Sequence, residues 1–281
     1  MKKNIIIAIL SLIIICGTIV IGMSQFGSNT KEIKEIIASA INATENLNNF
    51  EAELSTYTDV KREGEETVQT VIRSNLIYFL NPYKMYISMI ILNEAGEEEN
   101  VFEKYSVYDG QHFAIYTHDF VIDEWNTMAM LNREQFNMQS REYTIKENII
   151  FCLKNADTFT KNGEERIKDY DTIKYTGIFA GSSLRNLYRS MGYIDSVIDG
   201  IIEKHSKFDV SFWIDSRSHN VVKYSMDISH IYNYIFERQV EDGVLDNAVF
   251  WEKYINEVTV FNFNKAPDFE IPQEALDANI N

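Results

Sequence analysis

From Asn49 onward the apolar residues of this chain recur at every second position, in short runs joined by turns of a few residues. Phe50, Ala52 and Leu54 alternate with Glu51, Glu53 and Ser55. Phe208, Val210, Phe212 and Ile214 alternate with Asp209, Ser211, Trp213 and Asp215, and Val222, Tyr224, Met226 and Ile228 with Lys223, Ser225 and Asp227. A period of two places one set of side chains on one face of a strand. Connections this short permit only antiparallel neighbours, because a parallel return needs a crossover of a dozen residues or more. The chain is therefore committed to a large antiparallel sheet.

The pattern predicts strands at 49–61, 67–80, 83–92, 101–108 and 111–117, then at 158–161, 173–180, 208–214, 222–228 and 257–264. Asp109-Gly110 is the strongest hairpin signal, and Asn81-Pro82 ends the second strand, since proline has no N–H to give a ladder. Residues 132–156 lose the alternation; Tyr143, Ile149, Ile150 and Leu153 suggest a helix there, with Cys152 beside its apolar side. Ser182 to His205 reads as one or two helices broken near Gly192, and Ile231 to Phe250 as an aromatic-rich insertion of less regular structure.

Ahead of the first strand the period is 3.6. Ile33, Ile36, Ile37, Ala40, Ile41 and Leu47 share one helix face, and Asn29 with Glu32 forms a capping-box pattern. Helices that cover one face of an antiparallel sheet make an α+β domain, assigned to residues 29–281. At that length a core needs neither disulfide nor metal, and a monomer is expected.

Residues 5–23 carry no charge over nineteen positions. As a helix they span about 28 Å, close to the hydrocarbon thickness of a bilayer. Lys2 and Lys3 precede them and the next basic residue is Lys31, so the positive-inside bias leaves the N-terminus in the cytoplasm and exports the remainder. Residues 1–28 are thus assigned as a signal anchor and spacer, and the protein as single-pass in the cell membrane with an extracellular C-terminal domain. Two alternatives stay open. Gly22 and Ser24 offer a cleavage site that would release a secreted domain, and Cys16-Gly17 suggests lipidation, although Ile15 stands where a lipobox has a small residue.

The formal charge is −16, from 26 Lys+Arg against 42 Asp+Glu. A surface this acidic argues against a nucleic-acid partner, which requires a basic face to displace counterions. His112, His118, His205, His219 and His230 have no metal-ligand spacing, and metal ligands are expected nowhere. Glu97-Glu98-Glu99 and Glu63-Gly64-Glu65-Glu66 lack the alternating ligands of a calcium loop. Gly181-Ser182-Ser183 lacks the spacing and lysine of a phosphate loop. Cys152, within Ile-Ile-Phe-Cys-Leu, reads as a buried inert thiol. No catalytic residue and no cofactor emerge, and the chain reads as a non-enzyme.

The order helix, meander, helices, hairpin and last strand resembles the lipoprotein-carrier superfamily of LolA, LolB and LppX-like proteins. It is most similar to a Gram-positive branch of secreted and lipoprotein-like domains of largely unassigned function. Three stretches carry the resemblance: residues 31–60, where an amphipathic helix runs into a strand through Asn48-Asn49-Phe50; residues 212–228, with Trp213-Ile214-Asp215, Val222-Lys223 and Met226; and residues 261–272, Phe261 to Pro272. The resemblance implies a half-barrel, a strongly curved antiparallel sheet with helices on its concave face. It departs from the pattern in lacking a clean lipobox and in its insertions at 182–205 and 230–250.

A half-barrel fills its concavity with side chains, helices or a ligand. Met85, Met89, Tyr175, Phe179 and Phe261 are the candidates for lining such a groove, because methionine and aromatic side chains repack around apolar ligands. The first functional reading is a membrane-anchored extracytoplasmic module holding a lipid or another apolar ligand. The second is an envelope scaffold with a filled core and no ligand. A sensory ectodomain fits less well, since four residues ahead of the apolar run could not carry an output domain.

Overall fold

The computed structural model describes residues 31–62, 64–92, 98–140, 144–245 and 249–278. The apolar run 5–23 with Cys16, the Asn29 cap, Tyr143 and the turn at 95–97 lie outside the described residues. No helix among the described residues is long and apolar enough to cross a membrane.

The chain opens with α1 (Lys31–Glu45) and then six strands in succession: β1 (Asn49–Arg62), β2 (Val68–Phe79), β3 (Lys84–Leu92), β4 (Glu98–Tyr108), β5 (Phe113–Asp119) and β6 (Glu124–Leu131). Helices α2 (Arg133–Ser140) and α3 (Ile145–Asn155) lead to β7 (Thr158–Ile167) and β8 (Tyr170–Ala180). Helices α4 (Gly181–Ser190) and α5 (Asp195–Lys204) precede β9 (Lys207–Asp215) and β10 (Val221–Asp227). Helix α6 (Ser229–Glu241), β11 (Val249–Phe261) and α7 (Gln273–Asp277) complete the described chain.

The strands form one antiparallel sheet in the order β6-β5-β4-β3-β2-β1-β11-β10-β9-β8-β7. It is curved and unclosed, with β6 and β7 as its edges. Those two strands are consecutive in sequence yet stand at opposite ends of the sheet, so the segment between them has to cross it. Helices α2 and α3 make that crossing, and α3 packs on α1, α4 and β8.

Four departures from the sequence reading stand out. Strand β6 has no counterpart among the predicted strands: Glu-Trp-Asn-Thr-Met-Ala-Met-Leu is poor in β-branched residues, and its pairing with β5 is what makes it a strand. The first part of the 231–250 insertion is instead an ordered helix, α6, whose Ile231 and Tyr232 are buried. Strand β11 starts at Val249 rather than 257, and its register shift opposite Asp59 and Val60 breaks the alternation that would have revealed its first half. Strand β7 runs on to Ile167 past the irregularity between Lys161 and Gly163.

The register sorts the side chains between two faces. Phe50, Ala52 and Leu54 of β1 align with Tyr78, Leu76 and Ser74 of β2 and, on the other side, Ala52 and Leu54 align with Val260 and Val258 of β11. This is the face the helices cover. Ile37 and Ala40 of α1, Leu153 of α3, Leu184 and Tyr188 of α4 and Ile198 and Ile201 of α5 join it in one continuous core. At about 25 cal/mol per Å² of apolar area removed from water, this burial is the main force holding helices to sheet.

The opposite face is mostly polar, interrupted by aromatic side chains. Tyr86, Tyr105 and Trp125 form an aromatic row there. The segment after β11 folds back over it: Phe269 sits 5.9 Å from the Tyr86 ring and 6.0 Å from that of Tyr105, and Asp268 pairs with Lys84 at 2.6 Å. Ala275 of α7 is fully buried, and its carbonyl accepts a bond from the Thr127 hydroxyl at 3.4 Å.

His230 lies in the first turn of α6. Its Nε2 lies 2.9 Å from the Tyr188 hydroxyl, and its ring centre is 5.4 Å from Phe208 and 4.9 Å from His205. Burial lowers its pKa from 6.5 to about 4; nearby His205 pushes the same way, and Asp227 opposes both. The unfolded chain therefore binds a proton near pH 6.5 that the folded chain refuses until about pH 4. Stability should fall as pH drops through that window. The whole shift corresponds to about 3 kcal/mol, and partial solvent screening reduces the expected loss to about 2 kcal/mol. Urea midpoints measured at intervals between pH 7 and 4 should show this slope, and His230→Gln should flatten it; an unchanged slope in the variant would assign the loss to other groups.

Candidate apolar groove

Four of the five groove candidates lie on the helix-covered face. Met85 and Met89 point inward from β3, in register with Tyr78 and Ser74 of β2 and with Ser106 and Phe102 of β4. Tyr175 and Phe179 point inward from β8, opposite Phe212 and Phe208 of β9. Phe261 does not join them. It pairs with Glu51, one position past the inward Val260, and so faces outward with the Lys168 ammonium 4.0 Å above its ring. A period of two turns a one-residue step into a change of face.

The inward four are spread along the sheet. Strands β3 and β8 are six steps apart, about 29 Å measured along the curved sheet at the usual strand spacing. Their surroundings also differ. Tyr175 and Phe179 are fully buried beneath helices, within a core that includes Phe212, Leu184, Tyr188 and Ile198. Burial pushes the Tyr175 hydroxyl pKa up, with Glu32 and Glu164 adding to the rise.

From β3 towards β6 the cover thins. Along one row of neighbours, Met85, Ser106 and Ile115 are completely buried, while the next residue, Met128 on β6, is 36% exposed. In the adjacent row Ile87 is buried, Lys104 and Thr117 are half-buried and Asn126 is exposed. One row further, Met89 is buried and Phe102 half-buried. At the opposite end of these strands Phe113 stacks on Phe136 of α2 at 4.2 Å, with Tyr83 edge-on to Phe136 at 5.0 Å, which closes that end of the concavity. The concave face therefore has a filled half, from β7 to β1, and a partly open half, from β3 to β6.

One polar group in the open half stands apart. The Ser106 hydroxyl is fully buried between Met85 and Ile115, and it makes no hydrogen bond among the described residues. A buried hydroxyl without a partner costs about 1–3 kcal/mol, a penalty that well-packed cores avoid.

Two further cavities include charged side chains in their lining. One, of about 370 Å³, lies at the β7–β8 end and includes Glu165, Arg166, Asp171 and Ser216. The other, of about 550 Å³, is a groove between α5 and α6 that includes Asp199, Glu203, Tyr234 and Arg238. Gly200 lines it, because a Cβ there would stand 1.8 Å from the Tyr234 hydroxyl. Among the described residues no group of three His, Cys, Asp or Glu is placed to hold a metal ion. His118 stacks on Trp125 at 4.8 Å, with its Nε2 3.1 Å from Asp123 and its Nδ1 3.8 Å from Glu103.

Sequence reasoning missed Phe102, Ser106 and Met128 as groove residues. Phe102 and Ser106 sit in strands whose alternation is readable, and a face assignment for β4 would have found them. Met128 lies in the strand that was not expected.

Residues 32–168 match the model of a family of unknown function (DUF6612). No curated protein matches the sequence. Among solved structures, the chain is similar to the lipoprotein LppX of Mycobacterium tuberculosis, at 14% identity over 86% of this chain and 100% of that one, with a TM-score of 0.46. It is also similar to LprF of Mycobacterium bovis, at 11% identity over 89% and 100%, with a TM-score of 0.46. A LolA-superfamily protein of Nitrosomonas europaea matches at 11% identity over 84% and 94%, with a TM-score of 0.24. The half-barrel architecture rests on the strand order and burial described above.

Proposed function

We propose that this protein is a non-enzymatic extracytoplasmic binding module that holds an apolar ligand, of the class of a lipid acyl chain, in the open half of its concave face. The observation that carries the reading is the loss of cover from β3 to β6: buried Met89 gives way to half-buried Phe102 in one row and buried Ile115 to exposed Met128 in another, with half-buried Lys104 and Thr117 in the row between. The orphan Ser106 hydroxyl supports it, since a polar atom of a bound molecule could satisfy that group. Burial of ligand hydrocarbon contributes about 0.8 kcal/mol per CH₂, so part of one acyl chain suffices for micromolar affinity. Residues 5–23 would hold the module at the outer face of the cell membrane.

Met85 and Met89 belong to the proposed site, while Tyr175 and Phe179 support it from the filled half. Phe261 lies on the other face and serves as a control. The domain should change the fluorescence of a fatty-acyl probe with little dependence on salt. Phe102→Asp should weaken probe affinity at least tenfold with a small change in melting temperature, and Phe261→Ser should leave it unaltered. A folded domain that binds no probe and carries no lipid through purification would leave the envelope-scaffold reading, which the complete burial of Tyr175 and Phe179 favours.

A further inference from the structure

Apolar side chains do not make up the whole floor of the open half. Lys104 of β4 is aligned with Ile87 of β3 and Thr117 of β5, and Thr117 with Asn126 of β6. A lysine, a threonine and an asparagine therefore stand side by side at inward positions, the first two half-buried and the third exposed. Ser106 follows Lys104 on the same face of β4, about 7 Å further along at the usual strand rise. Its hydroxyl is fully buried and makes no hydrogen bond among the described residues. These four interrupt an apolar surface formed by Met85, Ile87, Ile115 and Met128. Half-burying an ammonium in a concavity costs desolvation that an outward position on the same strand would avoid.

We infer that Lys104, Ser106, Thr117 and Asn126 form a subsite for an anionic group, a carboxylate or a phosphate, at the end of the ligand's hydrocarbon chain. The inference rests on the acyl-chain reading above and adds which chains are held. All four side chains can donate hydrogen bonds to an oxyanion, and Lys104 adds the opposite charge. An ammonium has three donors, so a contact within the protein still leaves one for a ligand oxygen. Two acids also take inward positions, Glu99 and Asp119, but in register with Ile91 and Phe102 rather than with Lys104. The Asp119 carboxylate already accepts the Val121 N–H at 2.8 Å. The net charge of −16 opposes an anion at long range. Screening limits that opposition to about 8 Å at physiological salt, so a group seated against Lys104 responds mainly to its immediate neighbours. A contact this sheltered is itself screened little, in keeping with weak salt dependence of binding.

Amphiphiles that share a dodecyl chain and differ only in the head test this on the full chain, kept soluble in a non-ionic amphipol. Dodecanoate or dodecyl phosphate should displace the neutral dye N-phenyl-1-naphthylamine at concentrations about tenfold lower than dodecanol or dodecyltrimethylammonium. The better of the two anions assigns the head as carboxylate or phosphate. Lys104→Met should erase the preference while leaving displacement by dodecanol within about twofold, which also shows that the groove is intact. Lys104→Arg should retain it. Ser106→Ala should raise the melting temperature, because it removes an unpaired buried hydroxyl, and yet weaken the preferred anion about threefold. A purely structural serine would move the first quantity and not the second. Equal displacement by all four heads, or an anion preference that survives Lys104→Met, overturns the inference and leaves the acyl-chain reading standing. So does a preference for the trimethylammonium head, which would assign recognition to the acidic surface as a whole. If neither the dye nor any dodecyl compound binds the parent chain, the acyl-chain reading falls and this inference with it.

Discussion

Phe212→Ala should destabilise the domain by about 3–5 kcal/mol, a large fraction of what a domain of this kind has. Phe212 sits in the middle of β9, inward and fully buried, between Tyr175 of β8 and Tyr224 of β10 in the register. The Phe159 ring lies 6.2 Å away. Strands on both sides fix the positions of its neighbours, so the space left by the ring cannot collapse, and both the transfer and the cavity costs are incurred. Phe212→Leu keeps most of the volume and should cost less than about 1.5 kcal/mol. Urea unfolding followed by tryptophan fluorescence measures both. If the alanine variant loses under 1.5 kcal/mol, the β7–β1 half is looser than described and could itself accommodate a ligand.

Lys146→Met should cost about 2–3 kcal/mol, although it replaces a charged residue with an apolar one at a buried site. Lys146 lies in the first turn of α3, where its ammonium donates to the carbonyls of Glu45 at 2.8 Å and Leu47 at 2.9 Å. These carbonyls stand at and just beyond the C-terminus of α1, where the last turn has no intrahelical donors and the helix dipole favours a cation. Methionine fills the space but leaves both acceptors buried. The loss should appear in hydrogen exchange as faster opening of the last turn of α1. Lys154→Met is the comparison: its ammonium pairs with the Glu45 carboxylate at 2.7 Å on the half-exposed surface, and it should cost less than about 1 kcal/mol. Equal effects at the two positions would show that the carbonyl contacts of Lys146 contribute nothing specific.

Where the sequence reading succeeded and where it failed follows from how local each signal is. The hairpin of β9 and β10 was legible because inward Phe208, Val210 and Phe212 and inward Tyr224 alternate cleanly with polar residues. Helix α1 was legible because Ile37 and Ala40 fall on one stripe. Strand β6 is illegible because Thr127 is its one β-branched residue and Met-Ala-Met shows no apolar–polar alternation, so only pairing with β5 places it in the sheet. Of the groove candidates, Met85 and Met89 could be assigned to one face by counting. The face of Phe261 depended on the register of β11 against β1, which alternation along a single strand does not contain.

The sequence by itself determined that this chain builds a large antiparallel sheet under amphipathic helices, because hydrophobic period and turn length are local properties read residue by residue. It also determined that an uncharged run of nineteen residues precedes that domain and that the surface is strongly acidic. Only the tertiary structure decided which strands neighbour one another, that β11 closes against β1 in the middle of the sheet, and that β6 and β7 remain as edges. It also decided that one half of the concave face is filled while the other is partly open. Those outcomes depend on which helices reach which strands, and contacts between residues a hundred or more positions apart, such as Lys146 with Glu45, carry no signature in either segment alone.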